Sequence, residues 1–368
     1  MSLTPRVFSL RTRLLKSPFS TNALTRASLT QQWREPQPTT SRHFTRTSYR
    51  EHQNPLGLPR NNALPPPTMP RRGGPVKRNI LNVKKVVAVA SGKGGVGKST
   101  VAVNLAFALG LLQNPSTHRR LRVGVLDLDI FGPSIPTLMG LTKAGEPDLT
   151  PAGALIPLTN HGVPCMSMGF LIPPTQTSDN TDTPIVWRGL MVQKAVQQLL
   201  FDVDWAASSE GGGLDVVVID MPPGTGDVPL TLGQLVEVDG CVIVSTPQDV
   251  ALADVRKGIA MLRKVNVPIS GLVLNQSHYL CPTCVNPEPK YLFGTPDRFR
   301  TVASNLSIPI LGELPLVEGV SGGGDQGWPV VLKSGGGAKE AGEKGEQAWT
   351  RTMMGVAEKV AKEIGVWS

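Results

Sequence analysis

Residues 86–100 read Val86-Val87-Ala88-Val89-Ala90-Ser91-Gly92-Lys93-Gly94-Gly95-Val96-Gly97-Lys98-Ser99-Thr100. Five small or β-branched apolar residues make a short buried strand, and the run stops at a glycine-rich turn that matches G-x-x-x-x-G-K-[ST]. Val101, Leu105, Ala108 or Leu109, and Leu112 then recur at helical spacing. Strand, glycine loop and helix in that order set the positive helix N-terminus against the loop, where backbone N–H groups wrap phosphates. Gly92, Gly94, Gly95, Val96 and Gly97 are the expected cradle, with Thr100 at its helical end. Lys98 is placed to reach the β- and γ-phosphates and Ser99 to ligate Mg²⁺, so ATP and Mg²⁺ are the expected cofactors.

Further along the chain, Val123-Gly124-Val125-Leu126 is a second buried strand ending in Asp127-Leu128-Asp129-Ile130-Phe131-Gly132-Pro133-Ser134. Asp129 is the candidate for orienting an attacking water or sensing Mg²⁺, and Asp127 for holding the geometry around it. Val216-Val217-Val218-Ile219 leads in the same way to Asp220-Met221-Pro222-Pro223-Gly224-Thr225-Gly226-Asp227, where Asp220 reads as the second carboxylate of the phosphate site and the Pro/Gly loop as a segment that answers to the γ-phosphate. Strands at 242–246 and 271–275 complete a parallel sheet, with a helix from Asp249 between them. Strands alternating with helices predict an α/β fold, a doubly wound and mostly parallel sheet with its ligand at the strands' carboxyl ends. Asn275, at such an end, is a candidate reader of the adenine edge or a plain turn residue.

The charge is uneven. The chain has 368 residues and a formal charge of +9, but residues 1–85 hold 16 of the 37 Lys+Arg and only 2 of the 28 Asp+Glu. The remainder of the chain is net acidic, which argues against a DNA-coating protein, whose cations would line its folded surface. Residues 1–50 carry eight Arg, one Lys, sixteen Ser/Thr and a single acid, Glu35. That is the composition of a mitochondrial transit peptide, with a disordered basic tail as the alternative, and it predicts a matrix location. Residues 51–82 read as a Pro-rich linker and 83–368 as the ATPase domain, with a flexible Gly-rich insertion near 334–346. No run is long and apolar enough for a transmembrane segment.

Lys93, a second lysine inside the loop, makes this the deviant Walker A form, which resembles the MinD, ParA, nitrogenase-iron-protein and Mrp group of P-loop NTPases. The resemblance implies a homodimer in which this lysine reaches the partner's phosphates. Lys93, Lys98 and Asp129 are thereby the candidate catalytic groups.

Of four cysteines, Cys165 and Cys241 lie in apolar surroundings and read as core. Cys281-Pro282-Thr283-Cys284 is different: C-x-x-C in a Pro-rich loop after a strand presents two thiolates at metal-ligand spacing. Iron–sulfur, zinc and redox-dithiol readings are all open from spacing alone. A dimer would bring a second pair, and four thiolates suit one 4Fe-4S cluster or one zinc.

The runs at 92–100, 127–134 and 220–227, Ser245-Thr246-Pro247-Gln248 and the cysteine pair together resemble the Mrp/NBP family of iron–sulfur carrier P-loop ATPases over residues 83–365. The resemblance implies slow ATP hydrolysis, and a cluster held between two subunits by Cys281 and Cys284 and passed to apo-proteins. With the leader and Asn54-Pro55-Leu56-Gly57-Leu58-Pro59, it resembles the mitochondrial branch that serves respiratory complex I subunits. Asn275-Gln276-Ser277 departs from the family's usual Asn-Met-Ser, as does Val285-Asn286 after the second cysteine. A MinD/ParA-type switch without a cluster is the rival; it calls for a basic amphipathic C-terminal helix, whereas the closing helix carries Glu358, Lys359, Lys362 and Glu363. An electron-transfer reductase like the nitrogenase iron protein has its ligand cysteines far apart in sequence.

Overall fold

The computed structural model describes residues 76–115, 118–171, 189–207, 212–279, 281, 288–333 and 341–367, all within the unit Pro70–Ser368. The expected leader at 1–50, most of the linker, Cys284 and residues 334–340 lie outside them.

In chain order the elements are β1 (Val83–Ser91), α1 (Lys98–Leu111), β2 (Val123–Asp127), α2 (Ile135–Leu138), β3 (Leu158–Asn160), β4 (Val163–Ser167), α3 (Gly189–Phe201), β5 (Leu214–Asp220), α4 (Asp227–Leu235), β6 (Gly240–Ser245), α5 (Asp249–Lys264), β7 (Ile269–Leu274), α6 (Asp297–Asn305), β8 (Ile310–Glu313), α7 (Glu318–Asp325), α8 (Val330–Lys333) and α9 (Ala341–Glu363). Eight strands form one sheet in the order β3-β4-β2-β5-β1-β6-β7-β8. Every pairing is parallel except the β3–β4 hairpin at one edge. This is the doubly wound α/β architecture expected. Buried on both faces, the central strands need continuous apolar runs, and β2, β5 and β6 are buried along their whole length.

Helix α1 is buried on all sides from Val101 to Leu109, because it packs on the sheet with one face and on α9 with another. Met353, Val356, Ala357 and Val360 of α9 are fully buried in that contact layer, so the closing helix is a packed one. It also begins at Ala341 and so takes in residues 341–346, which the composition suggested as part of a Gly-rich insertion. Glu343, Lys344, Glu346 and Gln347 are good helix formers and outweigh Gly342 and Gly345 there. Cys165 in β4 and Cys241 in β6 are buried, as expected of core thiols, and burial pushes both up to about 12. Among the described residues no helix is long and apolar enough to cross a membrane.

Candidate functional site: a phosphate cradle tied to a cysteine segment

Because β1, β2 and β5 are neighbours, their carboxyl ends deliver the glycine loop, Asp127 and Asp220 to one place. A cavity of about 450 Å³ opens there, lined among others by Lys93, Lys98, Ser99, Thr100, Asp129 and Pro223. Gly94 and Gly95 have open space where a Cβ would stand, so the loop's main chain faces the cavity. Gly97, at φ +81°, ends the loop and precedes α1, whose Val101 N–H donates to the Gly97 carbonyl at 3.0 Å. Gly92 is set back from the cavity; a Cβ there would stand 2.6 Å from the backbone of Asp254 and Val255 in α5. Val96 is buried beneath the loop.

The Lys98 ammonium donates to Asp220 Oδ1 at 2.6 Å and to Ser99 Oγ at 3.2 Å. Burial raises the Asp220 pKa, and the Lys98 charge opposes that rise. The other carboxylate oxygen, Oδ2, is buried without a hydrogen-bond partner among the described residues. A spare buried carboxylate oxygen and a hydroxyl at the cavity wall are donors that a hard divalent cation takes, so Ser99 and Asp220 fit Mg²⁺. Exposed main-chain N–H groups, the α1 N-terminus and Lys98 fit the phosphates of a nucleotide.

The two candidate aspartates at the end of β2 stand in different surroundings. Asp127 is fully buried and accepts from Asp129 N–H at 2.9 Å, from Ser167 Oγ at 2.9 Å and from Ile135 N–H at 3.4 Å. Burial, then the neighbouring Asp220 carboxylate across the β2–β5 ladder, pushes it up to about 7. It shapes the 127–135 turn from below. Asp129 is half-buried at the cavity wall, its pKa raised by burial against the opposing Lys98 charge. Two main-chain bonds knit the responsive loops to the cradle: Leu128 N–H to Asp220 O at 2.8 Å, and Gly224 N–H to Ser91 O at 2.9 Å.

Asn275 stands at the carboxyl end of β7, as expected. It lies under the loop rather than in the cavity, where its Nδ2 donates to Val96 O at 2.9 Å and its backbone N–H to Ser245 O at 2.8 Å. The amide that was the candidate adenine reader is engaged by the loop itself, because β7 ends directly beneath Val96. Lys93 is also turned inward, donating to Gln248 Oε1 at 3.0 Å within the same chain.

Six residues after Asn275 comes Cys281, which is half-buried. Ser277 Oγ donates to Leu314 O at 2.9 Å, and Tyr279 and Lys290 exchange N–H···O bonds of 2.8 and 2.9 Å. The Tyr279–Lys290 pair closes the base of the stretch that contains Cys281 and Cys284. Sequence reasoning missed Ser167 and the partner role of Gln248. The first carries no motif signal, and the second ends the Ser245-Thr246-Pro247-Gln248 motif, 155 residues from the lysine it holds.

Comparisons with known proteins agree with this geometry. A family model described as ParA: NUBPL iron-transfer P-loop NTPase matches residues 82–349. The mouse (Mus musculus) iron-sulfur cluster transfer protein NUBPL is 49% identical over 261 residues, 71% of this chain and 75% of the mouse protein. An Arabidopsis thaliana protein named iron-sulfur protein required for NADH dehydrogenase, mitochondrial, is 45% identical over 262 residues, 71% of this chain and 76% of its own. Among solved structures, the nucleotide-binding protein from Archaeoglobus fulgidus in complex with ADP superposes with a TM-score of 0.53 at 35% identity, covering 67% of this chain and 87% of that one. With its phosphate cradle in place and nearly three-quarters of its length matched, the chain belongs to the NUBPL iron-transfer P-loop NTPase family.

Proposed function

We propose that this chain is an ATP-dependent iron–sulfur cluster carrier: a homodimer that holds a 4Fe-4S cluster as cargo on Cys281 and Cys284 of both copies and delivers it to apo-proteins. The observation that carries this reading is the bond from Asn275 to Val96 O, because it joins the phosphate loop to the segment that bears the cysteines. A nucleotide that reshapes the loop acts on that segment through one buried amide. Lys98 binds the phosphates, Ser99 and Asp220 hold Mg²⁺, Asp129 orients water for slow hydrolysis, and Lys93 stabilises charge across the dimer. The names of the mouse and Arabidopsis relatives support cluster transfer, with complex I subunits as recipients. We assign residues 1–50 as the transit peptide, 51–82 as linker and 83–368 as the ATPase domain, which places the protein in the mitochondrial matrix.

The test is anaerobic reconstitution of the chain with iron and sulfide, read by absorbance, iron content and mass in solution. About four irons per dimer, with broad absorbance at ~400 nm that Cys281→Ala/Cys284→Ala loses, is the expected result. A colourless, zinc-loaded or metal-free protein overturns it. Lys98→Ala is expected to load cargo but fail to hand it to an apo-acceptor, and normal handover by that variant removes the ATP-dependent part.

A further inference from the structure

The residue that holds the loop lysine Lys93 is followed by a carboxylate that Lys93 does not use. Gln248 immediately precedes α5, and the next residue, Asp249, sits in that helix's first turn. Asp249 gives its carboxylate to Arg298 at the start of α6, and Asp254, further along the same helix, is paired with Lys257. What Lys93 receives is the neutral Gln248 Oε1, at 3.0 Å. The Gln248 side chain makes no capping bond to its own helix, so this contact is its observed polar engagement. The Lys93 carbonyl accepts from Ser91 Oγ at 3.0 Å, which ties its main chain to the end of β1. Among the described residues, the side chain is held by the Gln248 contact alone.

A neutral amide satisfies one of the three ammonium donors without neutralising the charge. The site is also at the N-terminus of a sixteen-residue helix, where the macrodipole disfavours a cation. Lys93 therefore rests on a weak partner that an anionic phosphate outcompetes, while the stronger anion one residue away is occupied by Arg298. The geometry points to Gln248 as a positioning residue, a resting latch that holds Lys93 on its own chain and sets the nucleotide concentration at which two copies join. This rests on the proposal above that Lys93 works across a dimer.

The test measures the mass of the full chain in solution across a titration of ATP with Mg²⁺, for wild type, Gln248→Ala, Gln248→Glu, Lys93→Ala and the double variant Lys93→Ala/Gln248→Glu. Glutamate at 248 converts the latch to a part-exposed ion pair, which strengthens it by about two- to fivefold per subunit. Two latches open per dimer, so the factor enters squared and the association constant is expected to fall by about 4- to 25-fold. Gln248→Ala is expected to move it the opposite way, and removing Lys93 to abolish the glutamate effect. Nucleotide affinity of the dilute monomer, read in parallel with a fluorescent ATP analogue, separates a shifted latch from a damaged cradle. If Lys93→Ala fails to join while both Gln248 variants track wild type or move together, the latch is overturned and the cross-subunit reading stands. If Lys93→Ala joins as well as wild type, or wild type stays monomeric with ATP, the cross-subunit reading falls and takes the latch with it.

Discussion

Gly97→Ala is a severe test of how the cradle is held. At φ +81° an alanine pays the left-handed cost of about 1 kcal/mol. Its Cβ would also stand 2.3 Å from Asn275 Nδ2, well inside contact distance. Asn275 has little room to retreat, being bonded through its backbone to Ser245 O and through Nδ2 to Val96 O. Moving the amide breaks the 2.9 Å bond and strands a buried carbonyl, which costs about 1–3 kcal/mol more. The expected loss is about 2–4 kcal/mol in the nucleotide-free protein. Urea unfolding followed by the fluorescence of Trp205 and Trp349, both fully buried, measures it. In an Asn275→Ala background the clash is gone, so the same glycine change should cost only the backbone strain of about 1 kcal/mol. Gly94→Ala, whose Cβ meets nothing within 4 Å, should be close to neutral for stability. Equal costs for Gly97→Ala in the two backgrounds, or a cost as small as that of Gly94→Ala, would refute the reasoning.

Lys98→Ala leaves the buried Asp220 carboxylate without its cation and should destabilise the nucleotide-free protein by about 3–5 kcal/mol at neutral pH, with part of the loss returned by adding Asp220→Asn; unfolding midpoints of the single and double variants check this. Asp127 is raised from 3.8 to about 7, so between those values the native state keeps a proton that the unfolded chain has released. Stability contributed by this group therefore falls as pH rises through that window and levels off above it, by at most about 4 kcal/mol. Asp127→Asn should remove that slope, so the unfolding free energy of wild type must fall relative to that of the variant between pH 4 and 7. Arg298→Ala breaks an ion pair whose two side chains are 72% and 63% exposed, so solvent screens it and the unfolding midpoint should match that of wild type.

Much of this arrangement is legible in the sequence for a physical reason. Strands buried on both faces must be unbroken apolar runs, so Val86–Ala90, Val123–Leu126 and Val216–Ile219 announce themselves, and the glycine loop after the first of them requires a helix next. Helix α1 is harder to read fully. A one-sided stripe through Val101 and Leu105 is visible, but the helix is buried all round, which requires knowing that α9 returns to cover it. The β3–β4 hairpin is hidden because Leu158–Asn160 is three residues long and Val163–Ser167 contains a proline, which argues against a strand from local pattern. The largest gap concerns partners distant in sequence. Asn275 meets Val96 across 179 residues, and Ser167 meets Asp127 across 40, so residue type at the strand end suggests polarity without saying which polar group answers it.

The sheet's margins bear on how copies of the chain can meet. Its outermost strands, β3 and β8, run only three and four residues. Margins that brief offer an incoming strand few rungs of backbone ladder, so the molecule is poorly suited to growing sideways into fibrils or merged sheets. A second copy is instead met by side chains, loops or helix faces. A joint built that way comes apart by the rearrangement of a few groups, without tearing main-chain pairing, which suits a protein that has to let go.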